Sequence, residues 1–107
     1  MSSFDKREEG FEKKFALDSE QKFKAEARRN KLLGLWAAEK LGITGDDAAA
    51  YAKEVVAADF EEAGDQDVQN KVVKDFAAKG VAVTAAEVRV KMDELMAAAI
   101  AQVKAGT

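Results

Sequence analysis

The chain has 107 residues, 48% of them hydrophobic and 35% charged, and a formal net charge of −3. It contains no Cys, His or Pro, which excludes disulfides, thiolate nucleophiles, imidazole bases and the usual zinc sites. The acidic balance argues against nucleic acid as a partner.

The N-terminus is charged from Asp5 onward, so we expect no signal peptide. No apolar run approaches the roughly 20 residues that a membrane-spanning helix needs. We therefore predict a cytoplasmic protein without direct membrane insertion. We also expect it to be monomeric when it is free of partners.

Residues 1–18 are predicted to form an N-terminal arm that is disordered or frayed in the free protein. Phe4, Phe11 and Phe15 fall within about 40° of one another at helical periodicity, but Gly10 and two like-charge pairs weaken this helix. The aromatic stripe has two interpretations: it folds back on the rest of the chain as extra core, or it binds in a groove of a larger partner. The weak local helix signals favour binding.

The rest of the chain, residues 19–107, predicts an all-α, four-helix domain with short turns at glycine. Capping residues bound each helix. The first helix is capped by Asp18 or Ser19, and Gln21 fits the reciprocal position if Asp18 is the cap. The other capping residues are, in chain order, Gly42, Thr44, Gly64, Asp65, Gly80, and Thr84 with Glu87. The predicted helices cover approximately residues 19–41, 45–63, 66–79 and 85–104.

The first of these helices organises the domain, because it holds the single Trp and the longest apolar run. Gly34 lowers helix propensity there, which we explain by the close approach of another helix. Apolar residues at three- and four-residue spacing predict the buried faces of the helices. For the first helix this face comprises Phe23, Ala27, Leu32, Leu33, Leu35, Trp36, Ala37 and Leu41.

Arg28, Arg29 and Lys31 form a basic cluster on the same helix. They could contact an anion such as an adenine nucleotide, or they could face water and acidic neighbours. We favour the second interpretation for two reasons. Charged side chains at a protein surface usually face water or pair weakly with acidic neighbours. No aromatic side chain is interleaved with this cluster to stack on a base. No cofactor is predicted beyond this candidate nucleotide.

The sequence predicts neither a catalytic site nor a metal site. It lacks a nucleophile motif and a base of the usual type, so we predict that the protein is not an enzyme. A calcium loop starting at Asp65 would need glycine at its sixth position and an acid at its twelfth. Those positions hold Asn70 and Phe76, so the motif fails.

Six sequence motifs, spread over most of the chain, resemble one known family: the zeta subunit of alphaproteobacterial F-type ATP synthases. That family was formerly catalogued as a domain of unknown function. The motifs are FDKRE (4–8), FEKKFA (11–16), FKAEARRNKLLGLWAAE (23–39), TGDDA (44–48), YAKEVV (51–56) and DFEEAGD (59–65). The resemblance is weakest across residues 66–107.

The resemblance implies an inhibitor of ATP hydrolysis whose arm enters an interface between catalytic-head subunits and meets the central rotor stalk. The arm becomes helical there and blocks rotation, and the bound protein lies peripheral to the inner membrane. The implied contact residues are Ser2, Ser3, Phe4, Asp5, Lys6, Arg7, Glu8, Phe11, Lys14 and Phe15. Adenine-nucleotide binding by the helical domain is also implied. The alternative is a nucleotide-sensing or adaptor bundle without direct ATPase inhibition.

Overall fold

The computed structural model describes residues 18–59 and 65–106. Four α-helices make up this part of the chain, with no strand among the described residues, which confirms the predicted all-α, four-helix fold. We number them α1 (Ser19–Leu41), α2 (Gly45–Ala58), α3 (Gln66–Lys79) and α4 (Ala85–Lys104). The predicted arm and the predicted stop at Gly64 lie outside the described residues. The second helix was predicted to run to residue 63, but it ends at Ala58, five residues earlier. None of the four helices is long and apolar enough to cross a membrane.

The predicted caps of α1 and α4 are confirmed. The Asp18 carboxylate accepts a hydrogen bond from the Gln21 backbone N–H at 2.7 Å, and the Gln21 side chain accepts from the Asp18 backbone at 3.4 Å. Gly42 ends α1 in the left-handed conformation, with φ of 77°. The Thr84 hydroxyl accepts from the Glu87 backbone N–H at 3.1 Å, which fixes the start of α4.

Thr44 and Asp65 precede α2 and α3 as predicted, but neither side chain accepts a capping hydrogen bond. Asp46 and Asp47 occupy the first turn of α2, where negative charge is favourable to the helix dipole. Asp65 occupies the predicted cap position, but its carboxylate accepts hydrogen bonds from arginines of two other helices and not from the backbone of α3.

The core lies between all four helices, and α1 contacts each of the other three. Trp36 of α1 meets Phe76 of α3 edge to face, with ring centroids 5.7 Å apart. The core is formed by Leu33, Ala37, Ala38, Leu41, Tyr51, Val55, Val68, Val72, Phe76, Val88 and Met92. In α3 and α4 the buried residues Val68, Val72, Phe76, Val88 and Met92 recur at four-residue spacing, which is typical of a helical core face.

Gly34 is the point of closest approach between α1 and α2. A Cβ built on Gly34 would lie 2.5 Å from the Ala52 Cα and 3.3 Å from a methyl of Val55. No side chain fits at that distance, so a glycine is needed for the two helices to touch. The predicted close approach of another helix is confirmed.

The predicted buried face of α1 is only partly right. Leu33, Ala37 and Leu41 are buried, but Phe23 is 57% exposed and Leu35 is 38% exposed. Ala27, Leu32 and Trp36 are half-buried. The remaining buried positions belong to small or polar residues that the apolar pattern did not select, namely Ala25, Arg29, Asn30, Gly34 and Ala38.

Candidate functional site

The exposed large residues of α1 lie along an open groove of about 930 Å³. This α1–α4 groove runs between the outer face of α1 and the last turns of α4, and Val56 of α2 reaches it from one side. Its apolar side chains are Phe23, Leu32, Leu35, Val56 and Val103. It is a concave apolar surface of the size that binds a ligand or a helix.

Three cations line the same groove: Lys24, Arg28 and Lys31. The Arg28 guanidinium donates to the Gln102 side-chain oxygen at 3.2 Å and so links α1 to α4. Lys24 pairs on the surface with Glu20 at 3.1 Å. None of the described residues that line the groove carries a carboxylate, so these lining residues are net basic.

Arg29 is separated from the other two members of the predicted basic cluster. It is only 5% exposed, and its Nε donates to the Asn30 side-chain oxygen at 3.0 Å. Its guanidinium also lies 3.4 Å from the Asp65 carboxylate. The structure therefore places Arg28 and Lys31 at the groove, whereas Arg29 forms a partly buried ion pair with Asp65.

Asp65 joins α1 to α4 through this ion pair. The same carboxylate oxygen accepts from Arg89 at 2.8 Å, and Arg89 donates in turn to Gln69 at 2.7 Å. The hydrogen bond from Arg89 lowers the pKa of Asp65 below its ordinary value, and the same bond raises the pKa of Arg89. Sequence reasoning missed this cluster because Arg29, Asp65 and Arg89 are distant in the chain and share no motif.

A second polar cluster joins α2 to α3. The Tyr51 hydroxyl donates to the Asp75 carboxylate at 2.7 Å, and Lys71 lies 3.0 Å from the same oxygen. The Lys71 ammonium also sits 5.2 Å from the centre of the Tyr51 ring. Burial, together with the hydrogen bond to Asp75, raises the pKa of Tyr51 above its ordinary value. The phenol is therefore a fixed hydrogen-bond donor that holds the two helices together.

The residues predicted to contact a partner through the arm, Ser2 to Phe15, lie outside the described residues. Within residues 18–59 and 65–106, no group of three or more acidic side chains is arranged to hold a metal ion. The α1–α4 groove is a candidate binding surface in the part of the chain that the structure describes.

Comparison with known proteins identifies relatives in two ways. The protein-family model described as "ATPase inhibitor subunit zeta" matches residues 1–102. A solved chain, described only as a solution NMR structure, is 59% identical to this one. The alignment covers 79% of this chain and 96% of that chain, with a TM-score of 0.70. The comparison with curated proteins finds no match.

Proposed function

Because this chain belongs to the ATPase inhibitor subunit zeta family, we propose that it inhibits ATP hydrolysis by the catalytic head of an F-type ATP synthase through its N-terminal arm. The observation that carries the proposal is the family match, which spans the arm as well as the four helices. The protein acts by binding and has no catalytic residues of its own. Bound to the synthase, it is cytoplasmic and peripheral to the inner membrane.

In this mechanism the arm enters an interface between catalytic-head subunits, contacts the rotor stalk and blocks rotation. The stripe of Phe4, Phe11 and Phe15 is buried as the arm becomes helical. Each ring buried in the interface contributes about 1.5–3 kcal/mol, which offsets the entropy lost when the arm is ordered. The polar residues Ser2, Ser3, Asp5, Lys6, Arg7, Glu8 and Lys14 set its register by hydrogen bonds and ion pairs.

The helical domain is the anchor that fixes where the arm begins. Asp18 closes both halves of the capping box at the start of α1, and α1 is the helix that contacts the other three. The arm is therefore attached to the helix that contacts all the others. A rigid anchor lowers the entropy cost of placing the arm in its interface.

The proposal is tested by titrating the catalytic head with the full chain and with a Phe4→Ala, Phe11→Ala, Phe15→Ala variant. Each Phe→Ala substitution should lower the affinity at least about tenfold. A buried ring contributes about 1.5–3 kcal/mol, and about 1.4 kcal/mol corresponds to a factor of ten in affinity. Val90→Ala is the matched control, because Val90 is a 58% exposed apolar residue of α4 outside the groove. Equal inhibition by the triple variant and the wild type would contradict the proposal that the arm is the inhibitory segment.

A second candidate function, nucleotide sensing, is favoured by the three cations of the groove. Lys24, Arg28 and Lys31 present positive charge beside Phe23, an arrangement that could hold the phosphates of an adenine nucleotide. Titration with ATP, followed by backbone amide chemical shifts, tests it. Saturable chemical-shift changes confined to the groove support this function. Unchanged spectra at about millimolar ATP contradict it, because a dissociation constant of about 1 mM already corresponds to a weak binding free energy of about 4 kcal/mol.

A further inference from the structure

We propose that Asp18 is a positioning residue for the inhibitory arm: its capping box keeps the arm and α1 as two separate helices with a bend between them. This role rests on the proposed function, because the bend matters to inhibition only if the arm is the inhibitory segment. Three observations support it: the hydrogen bonds of the capping box, the backbone conformation at Asp18, and the charges on either side of this residue.

The capping box satisfies two backbone donors at the start of α1 without help from the arm. The Asp18 carboxylate accepts a hydrogen bond from the Gln21 backbone N–H at 2.7 Å, and the Asp18 backbone N–H donates to the Gln21 side-chain oxygen at 3.4 Å. In one continuous helix, these two N–H groups would instead donate to carbonyls four residues earlier, inside the arm. Because the box replaces those carbonyls, α1 begins at Ser19 as a helix with its own N-terminus.

The backbone at Asp18 is extended, with φ of −73° and ψ of 173°. A helical residue has ψ of about −42°, so a helix that ran through Asp18 would require a rotation of roughly 145° about this bond. Such a helix would carry the arm straight along the axis of α1 and place Phe4 about 21 Å beyond Asp18, at about 1.5 Å per residue. The cap therefore selects between two directions of the same arm.

The sequence just before Asp18 does not stop a helix by itself. Residues 12–17, EKKFAL, contain neither Gly nor Pro and consist mostly of strong helix formers. Only Asp18 and the next residue, Ser19, have side chains of the type that caps a helix at this junction. Without them, α1 would extend into the arm.

The charges mark the same position as a boundary between two helix ends. Lys13 and Lys14 lie just before the junction, where positive charge stabilises the C-terminal end of an arm helix. Asp18 and Glu20 lie at the start of α1, where negative charge is favourable to the helix dipole. In one continuous helix these four charges would lie away from both ends, and this stabilisation would be lost.

The consequence is that the start of α1 contributes to inhibitory potency although it lies outside the aromatic stripe of the arm. The arm enters the subunit interface in the bent arrangement. A molecule in which the arm and α1 form one straight helix is not competent to bind. The apparent affinity for the synthase is therefore reduced by the fraction of molecules in the straight arrangement.

The test removes the cap in the full-length chain and measures inhibition of the catalytic head. The double variant Asp18→Ala, Ser19→Ala has no capping side chain left at the junction. We expect its inhibition to weaken several-fold, because loss of a cap changes a helix equilibrium by typically about fivefold. In the free variant, the backbone carbon chemical shifts of Leu17 should also move toward helical values.

Two control variants separate positioning from stability and from charge. Thr84→Ala removes the cap of α4, in which the Thr84 hydroxyl accepts from the Glu87 backbone N–H at 3.1 Å. It should leave inhibition unchanged at a comparable loss of stability. Asp18→Asn keeps a side chain that caps as well as Asp, so it should retain both inhibition and the wild-type chemical shifts of Leu17.

Each contrary result has a distinct meaning. Equal weakening by Thr84→Ala would assign the effect to stability and overturn the positioning role. Weakened inhibition by Asp18→Asn would show that the carboxylate charge itself is needed, and unchanged inhibition or unchanged Leu17 shifts in the double variant would show that the cap is not; either would overturn it as well. A wild-type chain that does not inhibit the ATPase would refute the proposed function, and the Leu17 shifts alone would then support or overturn the separation of the two helices.

Discussion

The two sides of α1 differ in how they meet their neighbours. Toward α2, the contact is made by small residues, and Gly34 brings the helices so close that no Cβ fits against Ala52. Toward the end of α4, the large side chains of Phe23 and Leu35 remain exposed along an open groove. The size of an apolar residue on this helix therefore does not indicate its burial. The closed side stabilises the fold, and the open side keeps large apolar side chains at the surface.

The largest difference between the two environments is expected for two phenylalanines. Phe76 is fully buried against Trp36, whereas Phe23 is 57% exposed. Phe76→Ala should lower the free energy of unfolding by about 3–5 kcal/mol, because it removes apolar contacts and leaves a cavity. Phe23→Ala should change it by less than about 1 kcal/mol, since surface substitutions usually have small effects. Urea denaturation measures both, and similar losses would show that the groove is part of the core.

A smaller difference is expected at two adjacent positions of α1. Gly34→Ala should cost about 1–3 kcal/mol, because the new methyl overlaps the Ala52 backbone and the higher helix propensity of Ala offsets only part of the strain. Leu35→Ala, one residue later on the exposed side, is the control and should have a markedly smaller effect. Thermal unfolding would report the loss at Gly34 as a decrease of about 4–8 °C per kcal/mol. An unchanged melting temperature in Gly34→Ala would contradict the close contact between α1 and α2.

The smallest expected effect concerns Asp65, which joins α1 to α4 through Arg29 and Arg89. Because the pKa of its carboxyl is lowered in the folded protein, its contribution is present above the ordinary pKa of about 4 and is lost as the pH falls through the folded value. Asp65→Asn should cost about 1 kcal/mol at neutral pH, since the carboxylate is 38% exposed and partly screened by solvent.

The difference between the wild type and Asp65→Asn should therefore decrease as the pH is lowered below about 4. Asp67→Asn in the same turn is the matched control. A wild-type advantage that is constant between neutral and acidic pH would contradict the ion pair as its cause.

The helix boundaries could be predicted from the sequence because their signals are local. Asp18 with Gln21, Gly42, Gly80 and Thr84 each act within a few residues of the boundary that they set. The burial of Arg29 and Asn30 could not be predicted, because it depends on Asp65 and on helices distant in sequence. The groove was missed for a related reason, since apolar periodicity assigns large side chains to the core and does not show where a neighbouring helix ends.

The most direct test of the proposed mechanism compares two phenylalanines on either side of Asp18 for inhibition of the same catalytic head. Phe15 belongs to the arm, and Phe23 to the open side of α1. The account predicts that Phe15→Ala weakens inhibition by about tenfold or more, since the buried ring contributes at least about 1.5 kcal/mol. Phe23→Ala should retain inhibition, because Phe23 belongs to the helical domain and lies outside the arm. Equal weakening by both substitutions, or unchanged inhibition by Phe15→Ala, would contradict the account.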